Sequence, residues 1–287
     1  MAKGRELKGR IKTVENTRKI TRTMEMVATS KMKRAQDRVV AARPFANSLT
    51  EVIANLYTPD LAERFPLLRQ PATIKKAAVI VLTSNRGLAG AFNANLLKEA
   101  RIVLRRLKDE NVEPELHVIG KKGIGYFKYV GREMASSRID ITDRPTAVNA
   151  AEIVDSLIER FASGEIDAVY VVYAKFNSAL STPPTTQTIL PVTPPERKGP
   201  QPDYILLPSA EVILTQLLPS YVRNSVYRAL VETAAGEQSS RRTAMKNATD
   251  NAGEMLNTLR RTFNRARQAQ ITQEIAEIVG GAAALQG

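Results

Sequence analysis

The sequence predicts an α/β protein in which two long terminal helices pair antiparallel and carry an inserted α/β domain between them. Three observations predict it. A 3.5-residue apolar period runs near each end, short apolar runs alternate with helical segments in the middle, and the basic charge is concentrated toward the ends while the middle is close to balanced. The boundaries that follow are 1–58 for an N-terminal coiled-coil helix, 73–207 for the α/β domain and 208–287 for a C-terminal coiled-coil helix.

From Leu7 to Leu56 the chain holds one proline and is rich in helix formers. Alternate steps of four and three from Leu7 reach Ile11, Val14, Arg18, Thr21, Glu25, Ala28, Met32, Ala35, Val39, Ala42, Ala46, Leu49, Ile53 and Leu56, and twelve of these fifteen seam positions are apolar. A helix of that length spans about 75 Å. Pro44 is expected to bend it without ending it, and the helix is expected to stop before Pro59. Arg18, Thr21 and Glu25 are the polar exceptions, flanked by Met24, Met26 and Val27. They fit either a segment with contacts on more than one side or a shift of register.

The middle reads differently. Ala77–Thr83 is an apolar run, followed by the turn Ser84-Asn85-Arg86-Gly87-Leu88-Ala89-Gly90 and a helical pattern through Leu107. Leu116–Ile119 is a second strand, Lys121-Lys122-Gly123 opens another helix, Ala151–Phe161 is helical and Ala168–Ala174 is again β-rich. Strands alternating with helices imply a largely parallel sheet. Residues 183–202 then hold seven prolines. Such a segment cannot be a central strand or helix throughout, and reads as an extended, loop-rich return.

Beyond Pro219 there is no proline. Steps from Met245 reach Ala248, Ala252, Met255, Leu259, Thr262, Ala266, Ala269, Gln273, Ala276, Gly280 and Ala283; nine of the twelve are apolar and six are alanine. Small seam residues let two helix axes approach closely, which predicts a slim two-helix rod.

Composition narrows the function. The 287 residues carry 42 Lys+Arg, 29 Asp+Glu, one His and no Cys, a net charge of +13. Without cysteine there are no disulfides, thiolate metal sites or thiol nucleophiles. His117, the sole histidine, leaves no multi-His metal centre, and a Ser-His-Asp triad only if that residue supplies the base. No apolar run nears the roughly 20 residues of a spanning helix, and the N-terminus has no signal-peptide core. The chain is expected to be soluble, with membrane association only through a partner. Residues 1–43 have 13 basic and 4 acidic groups, 241–267 have 7 and 2, and 73–207 have 18 and 15. The ends therefore call for an acidic partner.

The candidate motifs are weak. Ser84–Gly90 stands where a phosphate loop would, yet holds only Gly-x-x-Gly, and Gly120-Lys121-Lys122-Gly123 lacks the following Ser or Thr. Both read as structural turns. His117 falls in an apolar strand pattern and reads as packed. No catalytic or metal-binding residue and no cofactor is assigned. A basic helix pair could grip nucleic-acid phosphates, but Glu6, Glu15, Glu25 and Asp37 interrupt the charge, and aromatics for stacking are absent up to Arg43. A nucleic-acid-binding basic coiled coil is the alternative reading, and a nucleotide-dependent enzyme is a third.

Asn16-Thr17-Arg18-Lys19-Ile20-Thr21-Arg22-Thr23-Met24-Glu25-Met26-Val27-Ala28, with Ser30-Lys31-Met32, resembles the N-terminal helix of the γ subunits of rotary ATP synthases. Residues 266–283, from Ala266-Arg267-Gln268-Ala269 to Gly280-Gly281-Ala282-Ala283, resemble that family's C-terminal signature, and 84–90 and 244–252 fit as well. Asn85 and Ala89 stand where the family often has Asp and Cys. The thiol-bearing regulatory insertion of the plastid forms is absent.

The resemblance implies an antiparallel coiled coil with an inserted Rossmann-like domain. It implies a non-catalytic central-stalk rotor of a proton-translocating ATP synthase, coupling c-ring rotation to conformational change at the catalytic sites of an α3β3 ring. The partners implied are the α and β subunits, the ε subunit and the membrane c-ring, with no nucleic acid and no direct membrane contact. The location implied is peripheral, on the cytoplasmic face of the cell membrane. Carried onto this sequence, the β-subunit contacts fall on Met24, Lys31, Lys33, Arg267, Gln268 and Thr272. The Ala-rich stretch Ile275–Leu285 would be an apolar tip turning in a sleeve of α and β side chains.

Overall fold

A computed structural model describes residues 2–57, 64–193 and 209–286, with side chains for 5–57, 64–193 and 209–281. Two helices dominate, α1 (Ala2–Leu56) and α5 (Ala210–Gln286). Between them come β1 (Lys76–Leu82), α2 (Phe92–Asp109), β2 (Glu113–Ile119), α3 (Lys121–Tyr129), β3 (Ser136–Arg138), α4 (Ala147–Ala162), β4 (Ala168–Ala174) and β5 (Pro184–Leu190). The chain forms two compact units. One is Met1–Ala28 with Arg242–Gly287, and the other is Thr29–Arg241.

The larger unit is built on a five-stranded sheet in the order β3-β2-β1-β4-β5. The first four strands are parallel, and β5 lies antiparallel against β4 at the edge. Strand side chains alternate between two buried faces, as a sheet covered on both sides requires. Ala77, Val79, Val81, Tyr170 and Val172 pack against Phe92, Leu96, Val103 and Leu107 of α2 and Phe127 of α3. On the other face, Ala78, Ile80, Leu82, Val169 and Val171 meet Val154, Leu157 and Phe161 of α4. The same core takes in Ile53 and Leu56 of α1 and Leu214, Leu218, Val222 and Val226 of α5.

Local signals set the element ends. Thr146 caps α4: its hydroxyl accepts from the Asn149 amide at 3.2 Å, and Asn149 Oδ1 accepts from the Thr146 amide at 3.1 Å. Pro44 lies inside α1 and does not end it, and the helix stops at Leu56. The stretch read as a loop-rich return differs from expectation in its first half, where Pro184–Leu190 forms β5. An edge strand tolerates this because Pro184 is its first residue and gives up no interior ladder bond. Residues 194–202 of that stretch lie outside the described residues.

In the smaller unit α1 and α5 run antiparallel. Glu15 pairs with Arg260 at 2.6 Å, and Thr21 meets Thr249, so higher numbers on one helix face lower numbers on the other. Thr21 and Ala28 are buried, and Leu7, Ile11 and Val14 are half-buried, so the expected α1 seam keeps one register here. The α5 seam differs from expectation. Met245, Thr249, Ala252 and Leu256 are buried, with Leu259, Phe263 and Ala266 half-buried after them. Of the expected positions Met255 and Thr262 face outward and Ala248 is half-buried, while Thr249, Leu256 and Phe263 line the seam instead.

Candidate partner-binding surface

The polar seam residues of α1 are reconciled within the smaller unit. The Thr21 and Thr249 hydroxyls lie 2.8 Å apart. Each also has a carbonyl of its own helix as acceptor, Arg18 O at 3.1 Å and Met245 O at 2.8 Å. Whichever proton points across the seam, neither buried oxygen lacks a partner. Arg18 is exposed and lies over Gly253, its guanidinium carbon 3.8 Å from where a Cβ on that glycine would stand.

Off the seam, two apolar stripes are bare. Ile20, Met24 and Val27 stand at helical spacing on one face of α1, with Ile20 and Val27 exposed and Met24 half-buried. On α5 every residue from Ile271 to Gly281 is exposed. Ile271, Ile275, Ile278 and Val279 form its apolar stripe, and Ile278 is 72% exposed. The opposite side carries Gln270–Glu274 and Gln273–Glu277 hydrogen bonds, both 2.9 Å. A helix that keeps isoleucines in water over about two turns is patterned for another surface. The signal was present in the sequence as i, i+4, i+7 spacing outside the seam.

Of the sequence-derived contact residues, Met24, Arg267, Gln268 and Thr272 belong to the smaller unit. Arg267, Gln268 and Thr272 are exposed, and the Thr272 hydroxyl donates to the Gln268 carbonyl one turn back at 3.0 Å. Lys31 and Lys33 belong to the larger unit and already have intrachain partners. Lys31 Nζ lies 2.7 Å from Asp143, and Lys33 Nζ lies 2.9 Å from Asp37 on the next turn. Burial pulls the Asp143 carboxyl upward, but the Lys31 hydrogen bond and charge outweigh it and leave it below the usual range. Lys33–Asp37 is an exposed pair worth about 0–1 kcal/mol, which another carboxylate can replace.

The turn after β1 is occupied by its own chain. The Ser84 amide donates to Asn93 Oδ1 at 3.0 Å. Asn85 Nδ2 donates to the Ile139 and Ile141 carbonyls, and Asn85 Oδ1 accepts from the Lys121 amide. Gly120 and Gly123 let α3 close on Thr83. The Gly123 amide donates to Thr83 Oγ1 at 2.9 Å, and a Cβ on Gly120 would stand 2.2 Å from the Thr83 carbonyl. These glycines thus serve backbone approach within the fold.

His117 on β2 lines up Ser136 Oγ, 2.7 Å from Nδ1, with Glu115, whose Oε1 is 3.1 Å from Nε2 but poorly aligned for a hydrogen bond. Both Glu115 oxygens are committed to Arg160 at 2.8 and 2.7 Å, and that guanidinium holds the carboxyl below its usual range. Burial holds His117 below its ordinary value, against the opposing pull of Glu115. An imidazole whose acid neighbour is fully engaged elsewhere is a packing and charge contact of the sheet, not a relay. Among the described residues no three His, Asp or Glu side chains gather as a metal site, and no helix is long and apolar enough to cross a membrane.

Two long helices that pair, an inserted doubly wound sheet and bare apolar stripes define an interaction subunit. A family model described as "ATP synthase" matches residues 3–285. The chain is similar to the ATP synthase gamma chain of Gemmatimonas aurantiaca, 65% identical over 290 residues with 100% of both chains covered. It is also similar to the ATP synthase gamma chain of Leptospira biflexa, 42% identical over 288 residues, covering 99% of this chain and 100% of that one. A chain in the central stalk and c-ring structure of the Tetrahymena thermophila mitochondrial ATP synthase is 26% identical at TM-score 0.61, covering 80% of this chain and 99% of that one. A chain in the Euglena gracilis mitochondrial ATP synthase rotor, 18% identical at TM-score 0.66 and covering 94% and 99%, shares the fold. The chain belongs to the ATP synthase gamma-chain family.

Proposed function

We propose that the chain is the non-catalytic central-stalk rotor of a proton-translocating ATP synthase. Turned by the membrane c-ring, it presents different faces to the three β subunits of an α3β3 ring, where the catalytic sites lie. Each face biases a β conformation only by the free energy with which it contacts that conformation differently. The observation that carries this reading is the relationship to ATP synthase gamma chains over the whole chain, at 65% identity to one of them. That relationship leaves the nucleic-acid-binding alternative without support.

In this reading each contact residue has a physical role. The bare stripe from Ile271 to Val279 suits an apolar sleeve of α and β side chains, where few charges mean few directional contacts to hold rotation at one angle. Arg267, Gln268 and Thr272, exposed beside it, would make polar contacts with β. Met24 lies in the second bare stripe. Lys31 and Lys33 would exchange Asp143 and Asp37 for acidic groups of β. The larger unit would carry the surfaces for the c-ring and the ε subunit, on the cytoplasmic face of the membrane.

The test is Arg267→Ala with Gln268→Ala in the assembled complex, read as ion pumping per ATP hydrolysed. The expected result is co-purification with α and β and about a tenfold loss of pumping per ATP hydrolysed, as removal of contacts together worth about 1.4 kcal/mol gives. Full coupling in the double variant would refute the assignment of these two side chains.

A further inference from the structure

A doubly wound sheet holds its ligand outside the carboxyl ends of its strands, where the order of connection reverses. In the larger unit the chain leaves β1 for β2 and β3 on one side and returns to β4 on the other, so the reversal lies between β1 and β4. The end of β4 and the start of α2 meet a side of α5 there. A Cβ on Gly236 would stand 3.2 Å from Ala174 Cβ and 3.4 Å from Phe92 Cε2, so helix and sheet are in close contact here and a Cβ is taken up only if these side chains give by a few tenths of an ångström.

Around that glycine α5 makes directional bonds to the loops at the crevice. The Glu232 carboxylate accepts from the Phe176 amide at 3.0 Å, and the Thr233 hydroxyl accepts from the Ala174 amide at 3.3 Å. The Ser239 hydroxyl donates to the Ala179 carbonyl. Arg241 donates to the Gly87 carbonyl at 3.2 Å and pairs with Glu237 at 2.6 Å. Glu232, Thr233, Ser239 and Arg241 are all buried. Apolar packing alone would cover the crevice without their desolvation cost, but it resists sliding poorly, since small shear of packed helices is a common way for layers to move. Buried, paired hydrogen bonds fix direction and register.

We propose that the Glu232–Arg241 segment of α5 fills the crevice where this fold would hold a ligand and acts there as a clasp, locking the sheet to the helix so that turning force passes between them without slip. This rests on the rotor reading above. Glu232 and Arg241 are positioning residues: they act through the Phe176 amide and the Gly87 carbonyl and keep the sheet in register with the α5 segment packed on it.

The absence of cysteine makes the clasp testable by a single engineered cross-link. The Gly236 Cβ position lies 3.4 Å from Thr182 Cβ, close to the roughly 3.5–4.5 Å of a disulfide. Thr182→Cys with Gly236→Cys is made alone and together with Glu232→Gln and Arg241→Met, in the complete complex reconstituted in vesicles. Ion pumping per ATP and hydrogen exchange over 84–90 and 174–181 are measured, oxidised and reduced. With the cross-link alone, oxidation is expected to leave pumping unchanged. Adding Glu232→Gln and Arg241→Met, in the reduced state, is expected to speed exchange about tenfold or more and to lower pumping per ATP by about half or more, with oxidation restoring it. Faster exchange with undiminished pumping would make these bonds structural only and overturn the clasp. Loss of pumping on oxidising the cross-link alone would show that the crevice must open, and would overturn it even if the quadruple variant failed to assemble. If the unaltered chain did not couple hydrolysis to pumping at all, the rotor reading would fail instead.

Discussion

Replacing Leu256 by Ala separates the observed α5 seam from the one that apolar counting favours. Leu256 is 2% exposed, while its neighbour Met255, the seam residue expected from sequence, is 55% exposed. A buried Leu→Ala change costs about 2–5 kcal/mol, and a two-helix seam, open along its edges, belongs at about 2–3 kcal/mol. Hydrogen exchange over 245–263 in the full chain reads this directly, because a local opening cheaper by that amount exchanges about 30- to 150-fold faster. Met255→Ala removes an exposed side chain and is expected to stay within about 0.5 kcal/mol, or roughly twofold. Equal acceleration by the two variants, or a larger one from Met255→Ala, would place the seam on Ala248, Met255 and Thr262 and refute the assignment.

Other outcomes follow from the same contacts. Gly123→Ala puts a Cβ 2.8 Å from Thr83 Oγ1 and Val118 Cγ1, and is expected to cost about 1–3 kcal/mol in a thermal melt; Gly125→Ala, with nothing within 4 Å, is expected to be neutral or stabilising. Thr249→Val alone is expected to cost about 1 kcal/mol in urea unfolding, while Thr21→Val with Thr249→Val costs less than the two single changes added, because the one hydroxyl–hydroxyl bond that each single change breaks is lost only once. His117 has a lowered value in the folded chain, so below about 6.5 the unfolded state binds more protons. Its contribution is therefore fully present above that pH and lost as pH falls toward the folded value. The melting midpoint should drop from pH 7.5 to 5.5, and His117→Gln should flatten that slope. Glu115, lowered by Arg160, adds a second loss below about 4.5. Equal slopes in the two proteins would exclude His117 as the source.

Much of this was written in local patterns. The α1 seam is legible because twelve of its fifteen positions are apolar, and β1 and β4 because both their faces are buried and the run is continuous. The α5 seam departs from the apolar count by one residue at three positions. Met255 and Leu256 are both apolar, and the buried Thr249 looks polar until Thr21 is seen opposite it. Two edge strands carry little periodic signal for related reasons. β3 is only Ser136-Ser137-Arg138, and β5 begins at Pro184 after Pro183. The bonds of Glu232, Ser239 and Arg241 were invisible because each joins residues more than 50 positions apart, and no periodicity records such a pairing. The contact residues Arg267, Gln268 and Thr272 were reached by resemblance, since an exposed polar helix face has no internal partner to declare it.

The hydroxyl of Thr21 waits for that of Thr249 across 228 positions of sequence. At about 5–20 residues per second of synthesis, that interval is roughly 10–50 s. Throughout it the nascent α1 displays Leu7, Ile11, Val14 and Ala28 with nothing to cover them, while the sheet, complete by Leu190, can already have condensed. Ribosome-bound chains halted before Arg242 should therefore recruit chaperones through their first thirty residues, and release them once the closing helix emerges.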